Sequence, residues 1–292
     1  MIRKKIFQLK LRSQRLQLGE RTLLMGVLNL TPDSFSDGGK FLDAKRAVEH
    51  ALAIERDGAD VIDIGAESTR PGSLEISVTE ELGRLLPVLK ALRGKLKIPI
   101  SVDTQKAAVA EEALGAGAEI VNDISGLRND PELARVAAKH GAALILMHIR
   151  GTPRTMQQGP FARDVLRDVL GGLRQSIATA KKYGVPGSRI VIDPGIGFGK
   201  SYAQNYELLA KLPELAKLGY PLLVGTSRKG FLGATLAKNG KPAAVDRRIW
   251  GTAATVAASI LNGAHIVRVH EVEEMKQVAI VTDALLSCEP ET

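Results

Sequence analysis

The sequence predicts an α/β protein, a (β/α)8 TIM barrel with an N-terminal β-hairpin closing its bottom. Three observations predict it: eight short β-branched runs recur along the chain, amphipathic stretches separate them, and polar residues gather where the runs end. With 292 residues the chain can bury one large core. The expected organisation is a hairpin extension over 1–20 and a single barrel domain over 21–292.

The segments IFQLKL and RLQL alternate apolar and polar residues, as a short strand pair with one solvated face does. The barrel strands then read TLLMGVL (22–28), DVIDIGA (60–66), IPISVD (98–103) and EIVNDI (119–124). They continue as AALILMH (142–148), RIVID (189–193), PLLVGT (221–226) and HIVRVH (265–270). Among the connecting segments, 44–58, 104–118, 206–219 and 247–264 place apolar residues three and four apart, the spacing of a helix with one buried face. Gly58, Gly117, Gly141, Gly184, Gly219 and Gly263 end helical stretches where the chain needs a left-handed residue before the next strand. The unbroken apolar character of LLMGVL and LILM implies that both faces are covered, as in a parallel sheet. A doubly wound sheet is the alternative, but eight evenly spaced units without a smaller domain favour closure.

The lone Cys288 excludes a disulfide framework and a cysteine zinc cluster, and its place near the chain end argues against catalysis. Of the net charge of +8, residues 1–21 carry +6. The remainder is nearly neutral and has no aromatic stacking ladder, so a solvated hairpin is expected rather than a nucleic-acid-binding arm. No run of about 18 apolar residues and no leader pattern occurs, so no membrane association and a cytoplasmic location are expected.

In a TIM barrel the chemistry sits at the C-terminal strand ends. There the sequence places Asn29, Glu67-Ser68-Thr69-Arg70, Asp103, Asn122-Asp123, His148, Asp193, Ser227-Arg228-Lys229, Arg268 and His270. Asn29, Arg268 and His270 come from the first and last strands, neighbours in a closed barrel, and together suit an anion. Arg268 could instead form a buried ion pair, and His270 could cap the last helix. Asp103, Asn122, Asp193 and Lys229 offer acceptors, an amide and a cation around one cavity. That set suits a flat heterocycle with an amidine-like edge, though each carboxylate could also be a cap or an internal salt-bridge partner. GIGFGKS (195–201) mimics nucleotide motifs but fails both: Pro194 stands where a P-loop needs glycine, and Lys200 where GxGxxG needs one. No HExxH zinc motif or GxSxG elbow is present.

The motifs NLTPDSFSDGG (29–39), ESTRPGS (67–73), SVDT (101–104), NDISG (122–126), LMHIRGTPRTMQ (146–157), DPGIGFGK (193–200), GTSRKGFLG (225–233) and RVHEV (268–272) occur in order. Through them the chain resembles the dihydropteroate synthase family over roughly 20–285. The resemblance implies condensation of 7,8-dihydropterin-6-ylmethyl diphosphate with p-aminobenzoate, giving 7,8-dihydropteroate and pyrophosphate with Mg2+, through a carbocation-like displacement. It implies that Asp103, Asn122, Asp193 and Lys229 bind the pterin ring and that Arg268 stacks on it. Asn29 would ligate Mg2+, while Thr69, Arg268 and His270 would hold the diphosphate. Asn29, Lys229, Arg268 and His270 are the catalytic set so implied.

Phe35, Thr69, Arg70, Pro71, Lys229 and Gly230 would shape the p-aminobenzoate pocket, with 31–40 and 68–73 as covering loops. Phe35 could alternatively anchor its loop. The resemblance further implies a homodimer and competition by sulfonamides. Two positions depart from the family pattern: Gly230 where many members have serine, and Glu271 where RVHD is usual. The rivals are a pterin-dependent methyltransferase, which has no need of the two loops, and a non-catalytic pterin-binding homologue.

Overall fold

A computed structural model describes residues 4–31 and 40–288. The chain opens with an antiparallel hairpin, β1 (Phe7–Lys10) and β2 (Arg15–Leu18), in which Phe7 pairs with Leu18 and Lys10 with Arg15. The barrel strands are β3 (Leu23–Asn29), β4 (Val61–Gly65), β5 (Ile100–Asp103), β6 (Ile120–Asp123), β7 (Ala143–Met147), β8 (Ile190–Asp193), β9 (Leu223–Val224) and β10 (Ile266–Val269). All neighbours are parallel, in the order β8-β7-β6-β5-β4-β3-β10-β9. A bridge between Ile192 and Leu222 joins the two ends and closes the cylinder. β9 is shorter than the expected 221–226 because the chain already turns at Thr226, whose carbonyl accepts from Lys229 N at 3.2 Å.

Around the strands lie α1 (Lys40–Arg56), α2 (Val78–Leu92), α3 (Ala107–Gly115), α4 (Glu132–His140), α5 (Val165–Lys182), α6 (Tyr202–Ala210), α7 (Leu212–Ala216), α8 (Gly230–Thr235), α9 (Ile249–Leu261) and α10 (Val272–Ser287). The six expected glycine caps all have positive φ; Gly141, at 64°, ends α4. The single helix expected over 206–219 is instead a pair, α6 and α7. Pro213 in the first turn of α7 has no N–H to continue the ladder, and the chain restarts at Lys211. Among the described residues no helix is long and apolar enough to cross a membrane.

The two-residue period of a strand organises the barrel interior. Val61, Ile120, Val191 and Ile266 belong to a buried apolar cluster, and Leu9, Leu11 and Leu18 of the hairpin region pack into it from below. Two positions further along the same strands stand Asp63, Asn122, Asp193 and Arg268. An apolar floor therefore lies under a polar layer. The hairpin is fastened to that floor by its turn: Ser13 N and Oγ donate to the two oxygens of Glu119 at 2.7 and 2.8 Å. Buried His265, pulled down to about 4 by burial, links Leu222 N to the carbonyl of Lys5.

Candidate active site

The polar layer is one interlocked group. Arg268 donates from Nε to Asp63 Oδ2 at 2.7 Å and from Nη2 to Asp103 Oδ2 at 3.0 Å. Asn122 Nδ2 donates to the same Asp63 oxygen at 3.0 Å. The ion-pair reading of Arg268 is thus realised, and two carboxylates fix the plane of its guanidinium. Asp63 is fully buried, and among the described residues neither its Oδ1 nor the hydroxyl of the nearby β5 residue Ser101 has a partner. Sequence reasoning passed over Asp63 because it sits inside a strand rather than at its end. Its two-residue offset from Val61 was the available signal.

Burial, then the neighbouring Asp63, pushes Asp103 up to about 7. Between about pH 4 and 7 the folded chain therefore keeps a proton that the unfolded chain has released, and this group makes stability fall as pH rises through that window. A full proton corresponds to about 1.4 kcal/mol per pH unit. The urea midpoint of Asp103→Asn should accordingly decline less between pH 5 and 7 than that of the unsubstituted chain; parallel declines would remove Asp103 as the cause.

Asp193 and Lys229 flank this group. Asp193 Oδ1 accepts from Gly195 N at 2.7 Å, a cap, while Oδ2 has no donor among the described residues. Burial pushes Asp193 up. Lys229 Nζ donates to Ile196 O at 2.6 Å and lies 4.0 Å from the Phe198 ring centroid; burial pulls it down to about 7. Phe198 also packs against Ile124, Met147, Ile149 and Met156, an apolar wall that sequence reasoning missed because such residues read as ordinary core.

The GIGFGK loop serves close packing. A Cβ at Gly195 would lie 1.9 Å from His148 O, and one at Gly199 2.3 Å from Arg150 O. Lys200 is buried, its Nζ at 3.0 Å from each of His148 O, Phe198 O and His148 Nδ1. His148, kept neutral by burial and then by Lys200, thereby brackets this loop.

Asn29 ends β3, half-buried, with no side-chain hydrogen bond among the described residues. His270 Nδ1 lies 2.9 Å from Ser227 Oγ, and burial, then Arg228, pulls its imidazole down to about 3. A neutral ring results. Glu271 accepts from Ser227 Oγ at 3.2 Å and from Arg228 Nε at 2.5 Å, so it braces the SRK turn and makes no side-chain cap of α10. Gly230 opens α8, and an added Cβ there would meet nothing within 4 Å among the described residues.

Thr69 lines a different cavity, of about 380 Å³, between the loops after β4 and β7, with Ser68, Arg128 and Thr152 among its walls. Gly72 N donates to Pro153 O at 3.0 Å and ties those loops together. The cavity shares Ile124 and Ile149 with the apolar wall, but Asp103, Asn122, Asp193, Lys229 and Arg268 do not line it. The structure thus brings Asp103, Asn122, Asp193, Lys229 and Arg268 together and sets Thr69 apart from them, while Arg70 and Pro71 belong to the same loop as Thr69. Phe35 lies outside the described residues, as do 32–39 as a whole.

A family model described as pterin binding enzyme matches residues 25–270. The dihydropteroate synthase of Synechocystis sp. is 50% identical over 267 residues, covering 91% of each chain. Among solved structures, the Yersinia pestis dihydropteroate synthase with a sulfonamide drug superimposes with a TM-score of 0.89 at 41% identity, covering 97% of this chain and 100% of that one. The Xanthomonas albilineans dihydropteroate synthase with 4-aminobenzoic acid gives a TM-score of 0.89 at 38% identity, covering 98% and 100%.

Proposed function

The chain belongs to the dihydropteroate synthases of the pterin-binding enzyme family, and from that premise we infer how its barrel mouth works. The reaction joins 7,8-dihydropterin-6-ylmethyl diphosphate to p-aminobenzoate, releasing pyrophosphate. The observation that carries the reading is the polar layer in which Asp63, Asp103, Asn122 and Arg268 interlock beside Asp193 and Lys229.

A pterin edge presents adjacent N–H donors, and the open Oδ2 of Asp193 suits them. Asn122, Asp103 and Lys229 complete the ring's polar contacts. Arg268, held flat by two carboxylates, supplies a face for stacking, and Met147 with Phe198 supplies apolar walls. As the C–O bond to the methylene breaks, its electron pair leaves with the diphosphate and positive charge spreads into the ring. Asp103 and Asp193 favour that charge. The aniline nitrogen then forms the new C–N bond and gives its proton to solvent, so no protein nucleophile is required.

Asn29, Thr69, Arg268 and His270 face the diphosphate in this reading. The neutral His270 can donate from Nε2 to the diphosphate when Ser227 turns its one proton from Glu271 to the ring's Nδ1. Asn29 offers an uncommitted amide oxygen, and the diphosphate carries several more, a hard donor set that fits Mg2+. Mg2+, when bound, supplies positive charge beside the leaving anion. In this reading Lys229 and Gly230 with Thr69, Arg70 and Pro71 form the p-aminobenzoate pocket. The complexes of the Xanthomonas and Yersinia relatives support p-aminobenzoate as second substrate and sulfonamides as its competitors.

A homodimer is part of the proposal. α10 exposes Ile280, Val281 and Leu285, α9 exposes Trp250, and a second copy would cover this apolar surface. The exposed thiol of Cys288 suits a reducing compartment, and the cytoplasm is the proposed location.

The deciding experiment incubates purified protein with Mg2+ and each substrate alone or together. Pyrophosphate and dihydropteroate should appear only when both substrates are present, and a sulfonamide should raise the KM for p-aminobenzoate without lowering kcat. No dihydropteroate in the complete mixture would overturn the reaction.

A further inference from the structure

The ESTRPGS loop begins at Glu67, two residues beyond the end of β4, and rejoins the fold at Ser77, which caps α2 by accepting from Glu80 N. Its two feet are fastened to each other and to one buried ammonium. Lys106 Nζ donates to Glu67 Oε2 at 3.1 Å, to the carbonyl of Ile76 at 2.8 Å and to Glu81 Oε2 at 2.8 Å. Glu67 Oε1 in turn accepts from Ile76 N at 2.9 Å. An ammonium has three protons, so these three acceptors use all of them. The side chains of Lys106, Glu67 and Glu81 are 10%, 8% and 1% exposed, so the cluster is largely withdrawn from water.

This arrangement differs from a surface ion pair in what it joins. Glu67 and Ile76 are nine residues apart, and the ring Glu67–Lys106–Ile76 closes the loop at its base. Glu81 roots the ring in α2, and Arg84 Nη1 adds a bond to the carbonyl of Ala66 at 2.9 Å. Beyond the ring, the far end of the loop is held by Gly72 N on Pro153 O. None of the bonds made by Lys106, Glu67 or Glu81 goes to Asp63, Asp103, Asn122 or Arg268. Burial alone would lower the lysine pKa, but Glu81 and Glu67 outweigh it and raise it, so the cation persists at neutral pH.

We propose that Lys106 is a positioning residue for the second substrate: by closing the feet of the 67–76 loop it presents Thr69, Arg70 and Pro71 as one unit over p-aminobenzoate. The assignment rests on the reaction inferred above. It requires that Lys106 act chiefly on the second substrate, because its bonds reach the loop and not the polar layer. That layer feels the cluster only through the charge of Glu81 at Asp103, a charge that the double variant below removes.

The test is Lys106→Met in the full chain. Expected are a KM for p-aminobenzoate raised about tenfold or more, a smaller change in kcat, and an equilibrium Kd for the pterin diphosphate within about twofold of the unsubstituted value. Glu67→Gln keeps size and should shift the same KM in the same direction by less. It also decides the matter if Lys106→Met is recovered only as aggregate.

The double variant Lys106→Met with Glu81→Leu removes the cation together with a partner that would otherwise be left buried and charged. If thermal stability and KM both return to their original values, Lys106 is merely structural and the proposal fails. If stability recovers and KM stays high, the positioning role stands. Pterin affinity falling as far as p-aminobenzoate affinity also overturns it.

Amide exchange separates this proposal from the reaction itself. The Ile76 amide should exchange faster in Lys106→Met whether or not the unsubstituted chain makes dihydropteroate, and unchanged protection there would remove the clamp.

Discussion

Asp193→Asn should bind a dihydropterin at least about a hundredfold more weakly while folding as firmly as the unsubstituted chain. The two carboxylate oxygens have separate tasks. Oδ1 receives Gly195 N, and an amide oxygen can keep that bond. Oδ2 is open, and in the variant an NH2 takes its place, turning an acceptor into a donor that faces the donors of the pterin edge. A hydrogen bond to a charged group contributes about 1.5–3 kcal/mol, and the added repulsion brings the loss to roughly two decades of affinity. Stability should hold because burial already disfavours the Asp193 charge. Titration calorimetry with a dihydropterin reads the affinity and urea unfolding the stability; an unchanged affinity would move the ring elsewhere in the barrel.

The second large effect is expected at Arg268. Its guanidinium is the only cation hydrogen-bonded to Asp63 and Asp103 among the described residues, and Asp63 is fully buried. Arg268→Met leaves two carboxylates together without a counter-charge, a loss of about 3–5 kcal/mol. Activity should disappear with it, since the same group faces ring and diphosphate in the proposed mechanism. Replacing both acids as well, in Asp63→Asn/Asp103→Asn/Arg268→Met, should recover much of the stability and none of the turnover. Recovery of turnover would reduce Arg268 to a structural counter-ion.

What could be read from the sequence follows the range of the interactions involved. Period-two and period-3.6 patterns are local, and they located the barrel, the plug beneath it and the six glycine caps. Strand-end position is local too. Asp103, Asn122, Asp193, Lys229 and Arg268 were therefore legible one by one, and the closed sheet brings them together.

Asp63 escaped because its importance is relational: only the ring of strands sets an acid of β4 against a guanidinium of β10. Met147 and Phe198 escaped because an apolar side chain packed beside a polar site carries the same local pattern as one filling a core. Lys106 escaped because its partners lie 39, 30 and 25 positions away, beyond any spacing rule. The pairing of Arg228 with Glu271 gives the altered RVHE motif a physical use that the resemblance did not supply.

The join between β8 and β9 has a last consequence. Every other neighbouring pair in the barrel shares a ladder of two or more residue pairs, whereas this one rests on the single bridge from Ile192 to Leu222. Asp193 follows Ile192 directly on one lip, and Lys229 stands beyond the turn that leaves β9 on the other. Any heterocycle grasped by both is therefore a stitch across the thinnest seam of the cylinder. In the proposed mechanism substrate and scaffold would be mutually dependent there: a ring held by both lips would also help hold the barrel shut.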